Sequence, residues 1–145
     1  MRVVIQRVDQ AQVLVRGVEV GKIAKGLLVF LGVKDVDGID TIQKLADKVI
    51  NLRIFNNDSN KMNLSLLDID GSLLIVSQFT LYADCSKGNR PSFTNAGSAL
   101  HAKKIYNEFV NYMVQKNINV QSGEFGAHME VRLINSGPAT FILDG

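Results

Sequence analysis

Residues 128–144 read "HMEVRLINSGPATFILD". "HMEVRLI" and "ATFILD" both carry strand-type residues, and between them sits "NSGPATF" (135–141), which holds one of only two prolines in the chain. A proline donates no ladder hydrogen bond, so Pro138 is expected to interrupt a sheet at this point. A strand pair at the C-terminal end needs partners. The nearest comparable signals lie at the other end, in "MRVVIQRV" (1–8) and "QVLVRG" (12–17). Strands that cluster at both ends of a chain pair across the sequence. The expectation is a mixed or antiparallel sheet system with helices packed outside, an α+β arrangement.

The middle of the chain supplies the rest. Gly17 and Gly21 punctuate "VEVGKIAKG" and read as hairpin turns. "GLLVFLGV" (26–33) is a continuous apolar run of strand length, expected to be buried on both faces. After the polar break "DVDG" (35–38), Ile39, Ile42, Leu45, Ala46, Val49 and Ile50 follow helical spacing, with Asp40 and Lys44 placed as an i,i+4 pair. "NNDSNKMN" (56–63) reads as a polar loop, and Asp70-Gly71 as a turn into "SLLIVSQFTLYAD" (72–84), a strand continuing past its polar residues into Leu81 and Tyr82. "CSKGNRPSFTNAG" (85–97) reads as a long loop. A second, longer helix runs from Ala99 to near Lys116 on the repeat Ala102, Ile105, Tyr106, Phe109, Val110, Met113, Val114. "INVQSG" (118–123) returns to strand. No repeat, low-complexity tract or linker divides the chain, so residues 1–145 are expected to form one domain.

At 46% hydrophobic and 21% charged, the composition is that of a soluble globular protein. The one cysteine, Cys85, cannot form an intrachain disulfide and fits a reducing cytosol. The N-terminus is charged from Arg2 and lacks the apolar core of a signal peptide. No apolar run approaches the ~20 residues that cross a bilayer. A cytoplasmic location with no membrane partner is expected. Two histidines and one cysteine, far apart in sequence, leave little material for a metal site, and neither a dinucleotide-binding glycine fingerprint nor a P-loop appears. No metal and no cofactor are expected.

Hydroxyl nucleophiles need a base and an orienting group. Ser77, Thr80 and Asp84 lie close together in "SQFTLYAD", but neither His101 nor His128 stands at a telling spacing, and there is no G-x-S-x-G elbow. Both histidines therefore read as surface or partly buried residues, and Cys85 as an inert thiol. Lys87, Arg90, Lys103 and Lys104 face only Asp84 between residues 84 and 104. They fit either phosphate contacts or a solvated face. Polar groups inside an apolar strand cost roughly 1–3 kcal/mol each when unsatisfied. Ser77, Gln78 and Thr80 thus point either to a ligand or to a strand crossing from core to edge. The residues alone leave both readings open.

Four stretches together go further. "MRVVIQRV" (1–8), "SQFTLYAD" (77–84), "KGNRPSF" (87–93) and "GEFGAHMEVRLINSGPATF" (123–141) resemble D-aminoacyl-tRNA deacylase, over essentially the whole chain. The resemblance implies a β-barrel-like pair of sheets flanked by two helices, and a homodimer with its active site at the subunit interface. It implies hydrolysis of the ester joining a D-amino acid to the terminal adenosine of tRNA. In such a protein the Gly137-Pro138 bond would be cis and inserted into the partner subunit's site, refusing L-amino acids by shape. Glycyl-tRNA would then be cleaved too, since glycine has no side chain to refuse. The resemblance makes Ser77, Gln78, Phe79 and Thr80 the pocket lining, with main-chain N–H groups at Phe79 or Thr80 on the developing oxyanion. The ribose hydroxyl beside the ester would assist water in place of a protein base. Arg7 would hold the Gly-Pro loop or the tRNA end, Met129 would close the side-chain pocket, and Lys87, Arg90, Lys103 and Lys104 would meet tRNA phosphates. One departure is Ala139, where the family carries valine. Two fewer methyls imply a less tightly packed loop, and they keep open a kinship with deacylases that use a trans Gly-Pro and remove L-alanine. Two different classes of protein would also fit these stretches: a non-catalytic RNA-binding module, of the kind appended to some tRNA synthetases, and a small esterase indifferent to RNA.

Overall fold

The computed structural model describes residues 1–145. Its organising element is β1 (Arg2–Val15), in which the two N-terminal strand signals form one 14-residue strand. Val3, Ile5, Val8, Ala11 and Val13 are buried along it. β8 (Met129–Asp144) runs antiparallel along the whole of one edge, from Arg2↔Asp144 to Val15↔Met129. The other edge is divided. β2 (Val18–Ile23) pairs residues 11–15, and β3 (Gly26–Gly32) pairs residues 2–8. β3 lies parallel to β6 (Ser72–Ser77), and β6 parallel to β7 (Asn119–Ser122). The path β2-β1-β3-β6-β7 curls into a nearly closed, barrel-like mixed sheet.

The β1–β2 hairpin turns on Arg16 and Gly17, at φ 52° and 79°, the left-handed pair that a two-residue hairpin demands. Gly21 is not a turn: it lies inside β2. A Cβ there would stand 2.9 Å from the Ser122 carbonyl oxygen and 3.2 Å from Leu74 Cδ1. Glycine is what lets β2 close over β6 and β7.

Apolar surface divides between two sides of this sheet. α1 (Ile39–Asn51) and α2 (Ala99–Gln115) cover the outer side, where Ile42, Leu45, Ala46 and Val49 meet Ile105, Phe109 and Met113 over Val3, Ile5, Leu27, Val29, Leu31, Leu73 and Ile75. Val8, Ala11, Val13, Ile23, Leu28, Leu74 and Val76 fill the inner side. β3 is thus buried on both faces, as its unbroken apolar run requires. Ile39, at the start of α1, is half exposed, and Asp40 and Lys44 do not pair. Exposed i,i+4 pairs contribute too little to hold two long side chains in one geometry. The segment 56–63 is not a plain loop. β4 (Phe55–Asn56) and β5 (Met62–Leu64) form a small second sheet. Asn57 Oδ1 accepts the N–H groups of Ser59 and Lys61 across its turn, a local bond that asparagine makes readily.

Two further expectations change. β6 ends at Ser77, and Phe79–Tyr82 forms a 3-10 turn. The N–H of Gln78 still reaches Leu31 O at 2.8 Å, after which Leu81 N–H bonds Gln78 O at 3.3 Å. The polar residues sit where the chain leaves the sheet, which is why they interrupt the apolar run. Nor does Pro138 break the sheet. The β1–β8 register jumps from Val8↔Asn135 to Gln6↔Thr140, so Ser136–Ala139 bulge out opposite Arg7 while pairing resumes on both sides. A bulge is the position within a sheet that tolerates proline. Asn135 Nδ2 donates to Arg7 O at 3.0 Å and to Ala139 O at 3.4 Å, closing the neck. Ala139 is fully buried.

Candidate active site

The end of β6, the 3-10 turn, the start of α2 and the segment leading into β8 surround a cleft of about 560 Å³. Its floor is Leu31, Val76 and Val131; its rim carries Ser77, Gln78, Phe79, Phe93, Ala96 and Gly97, and its far wall Phe125, Gly126, Ala127, His128 and Met129. This is the form of a small-ligand pocket: mostly apolar, with a few polar groups at one edge. Phe79 is 57% exposed at the mouth and meets Phe93 edge to face, ring centroids 5.0 Å apart. An aromatic pair so placed offers a π face to a flat ligand.

The 3-10 turn supplies donors. Its internal hydrogen bonds begin at Leu81, which leaves the N–H groups of Phe79 and Thr80 as the unpaired leading donors of the turn. Thr80 is exposed, and its hydroxyl accepts from Gln78 Nε2. Neither histidine is a hydrogen-bond partner of that hydroxyl: His101 bonds the Asp37 carbonyl at 3.0 Å, and His128 stands on the far wall of the cleft. Tyr106 lies in the cleft wall, buried, with its hydroxyl donated to Ile75 O at 2.8 Å. Burial pushes its pKa up to about 12, so it stays a neutral hydrogen-bond donor.

Arg2 and Lys34 approach the Tyr82 ring, at 5.5 and 4.9 Å from its centroid. Arg2 also donates to Leu81 O at 3.3 Å while paired to Asp144 at 2.7 Å, which ties the turn to both chain ends. Hydrogen bonding to Asp144 raises the Arg2 pKa and lowers that of Asp144.

Gly137, Pro138 and Arg7 form a second group, and none of them lines the cleft. Gly137 lies eight residues along β8 from Met129, roughly 25 Å of extended chain. The Gly137-Pro138 bond is cis, and both residues are exposed. Arg7 beneath them is only 6% exposed. It has no carboxylate partner. Its Nε donates to Ser136 O at 2.9 Å and its Nη2 to Gly137 O at 3.3 Å, while Nη1 holds Ile54 O and Asn56. Arg7 is therefore placed to fix the bulge. A Cβ built on Gly137 would meet nothing of its own chain closer than Asn135 Oδ1 at 3.6 Å.

The four basic residues lie on two elements, a loop and the start of α2. Lys87 and Arg90 are exposed on the 85–91 loop, which is closed at its base by main-chain bonds between Asp84 and Ser92 of 2.7 and 2.9 Å. Lys103 faces a separate polar cavity, and Lys104 pairs with Glu108 at 3.9 Å. Sequence reasoning gave no role to Phe93, Tyr106 or Phe125. Phe93 and Phe125 stood inside the family-like stretches, but only folding shows that they face one cleft.

A family model described as D-Tyr-tRNA(Tyr) deacylase matches residues 4–144. The chain belongs to that family. Membership in the D-Tyr-tRNA(Tyr) deacylase family makes it an enzyme, a hydrolase of ester bonds. Relatives named D-aminoacyl-tRNA deacylase include proteins of Thermosipho africanus, 59% identical over 99% of this chain and 97% of the relative, and of Petrotoga mobilis, 54% identical with the same coverage. Among solved structures, one titled c-Myc DNA Unwinding Element Binding Protein superposes with a TM-score of 0.93 at 36% identity, covering 100% of this chain and 99% of that one. A probable eukaryotic D-amino acid tRNA deacylase shares the fold, with a TM-score of 0.82 at 21% identity over 98% and 97% of the two chains. No helix is long and apolar enough to cross a membrane.

Proposed function

We propose that this enzyme hydrolyses the ester between a D-amino acid and the terminal adenosine of tRNA, in a site made by two copies of the chain. One copy gives the cleft of Ser77, Gln78, Phe79 and Met129, and the other inserts its Gly137-Pro138 bulge. The observation that carries this reading is Arg7. A buried guanidinium without a carboxylate is costly, and this one is committed to the main-chain oxygens of an exposed bulge that serves no cleft in its own chain.

The chemistry follows from those parts. The bulge carbonyls retain lone pairs that accept from a substrate α-ammonium. The unpaired N–H groups of Phe79 and Thr80 receive the ester oxygen as it gains charge; one such donor contributes ~10²–10³ in rate. With ammonium and carbonyl both held, a D side chain projects into open space, and an L side chain strikes the Gly137-Pro138 backbone. Selection is a clash against the wrong enantiomer. Phe79 and Phe93 take the adenine. The aminoacyl ester is already activated, so the neighbouring ribose hydroxyl suffices to position water, in keeping with the lack of a base beside Thr80. Lys87 and Arg90 supply phosphate contacts.

The test is a deacylation series on one tRNA. D-tyrosyl- and glycyl-tRNA are expected to be cleaved and L-tyrosyl-tRNA spared. Cleavage of D-tyrosyl- but not glycyl-tRNA would sink selection by clash. Inertness toward all three would leave the RNA-binding module, and equal action on simple aminoacyl esters the generic esterase.

A further inference from the structure

A second cavity, of about 490 Å³, opens behind the cleft. One wall is a single face of α2, with Lys103, Tyr106, Asn107, Val110 and Asn111 at helical spacing. The other is the segment Ser122–Phe125 that follows β7. Tyr106 and Phe125 belong to both cavities, and their rings, centroids 5.7 Å apart, form the partition. The two spaces differ in chemistry. The cleft is largely apolar, whereas this cavity presents an ammonium, two carboxamides, a hydroxyl and a carboxylate. Lys103 makes no ion pair.

We infer that this polar cavity is a subsite for the cytidines that precede the terminal adenosine, reading them as single-stranded RNA. The inference rests on the proposed deacylase reading, which places the adenosine in the adjoining cleft. A strand whose last nucleoside enters the cleft carries its preceding nucleotides past the Tyr106–Phe125 partition. Lys103 meets the linking phosphate. Asn107 and Asn111 each offer a donor pair and an acceptor, the requirement for a cytosine Watson–Crick edge. Glu124 accepts from the exocyclic amino group, the pairing that carboxylates make with cytosine. A site that bound phosphate alone would have no use for that carboxylate. The tRNA end is thus recognised over more than one nucleotide, which separates tRNA from free nucleosides and small esters.

The test compares binding of adenosine with binding of the trinucleotide CpCpA, for the wild type, Lys103→Ala and Asn107→Ala. The wild type is expected to bind CpCpA at least tenfold tighter than adenosine. Each substitution should remove most of that gain and leave the adenosine Kd unchanged, and Lys103→Ala should flatten the dependence of log K on log salt by about one unit. Equal affinity for the two ligands, variants that keep the gain, or variants that lose adenosine binding in parallel would each overturn the inference. Lys103 is exposed, so its loss leaves folding intact. Deacylation of D-tyrosyl-tRNA by the wild type reports separately on the reading beneath this one.

Discussion

Gly137 shows what a single residue's surroundings reveal. Its φ is not positive, and its own chain leaves room for a methyl group. Nothing in the folding of one copy calls for glycine there, which fits the proposed close approach of the bulge to a substrate in a partner's cleft. Gly137→Ala is accordingly expected to leave thermal stability unchanged or raised by about 0.4–1 kcal/mol. It should also lower kcat/KM on D-tyrosyl-tRNA by about 10²-fold, the effect of an ångström of misplacement. Parallel loss of stability and activity would return Gly137 to an internal packing role. Thr80 makes the opposite case. Its hydroxyl has a side-chain partner but no base, so Thr80→Val should keep activity within about tenfold, because an oxyanion donor that lies in the main chain survives the substitution. Complete inactivation with RNA binding intact would make the hydroxyl a chemical participant. Gly137, Pro138 and the SQFT string could be picked out in the sequence by resemblance. Arg7's hold on the Gly-Pro loop was readable the same way, but its burial and its grip on Ile54 O were not, because its three main-chain partners lie 47, 129 and 130 residues away.

At the level of elements, periodicity located both helices to within a residue or two and found the two-sided burial of β3. It failed where a tertiary bond outweighs a local signal. Gly21 looks like a turn because glycine usually marks one, yet the approach of Ser122 O and Leu74 decides its place. Polar residues 77–80 look like a strand crossing to an edge, yet the turn held by Gln78 and Leu81 takes them out of the sheet. Tyr106 gives this scale a measurable consequence. It belongs to α2, yet its hydroxyl is bonded to β6 at Ile75 O, and burial pushes its pKa up to about 12. An unfolded tyrosine ionises near pH 10. Above that pH the unfolded chain holds fewer protons than the folded one, so stability falls as pH rises. The Tyr106 contribution is complete below pH ~10 and declines between pH ~10 and ~12. Tyr106→Phe should flatten the loss of stability over that window, measured as urea midpoints at stepped pH. An unchanged slope would mean that the phenol is hydrated in the fold.

For the whole molecule, the decisive feature is that the cleft and the bulge do not meet within one chain. β8 is an edge strand that pairs only β1, and Ile134 and Ile142 stand half exposed or more along it. Nothing in a single sequence states a distance between Met129 and Gly137 in a neighbour, which is why the proposed shared site was accessible only through resemblance. A two-fold pairing makes a test that one chain cannot pass alone. Ala96→Trp fills the cleft and spares the bulge; Gly137→Val spoils the bulge and spares the cleft. Each variant by itself should be inactive on D-tyrosyl-tRNA. Refolded together in equal amounts, half of the dimers are mixed, and each mixed dimer holds one intact cleft facing one intact bulge. Activity should therefore return to about a quarter of the wild-type value, the fraction set by random two-fold association. A site complete within one chain predicts no recovery at any ratio, since no molecule in the mixture then carries both intact parts.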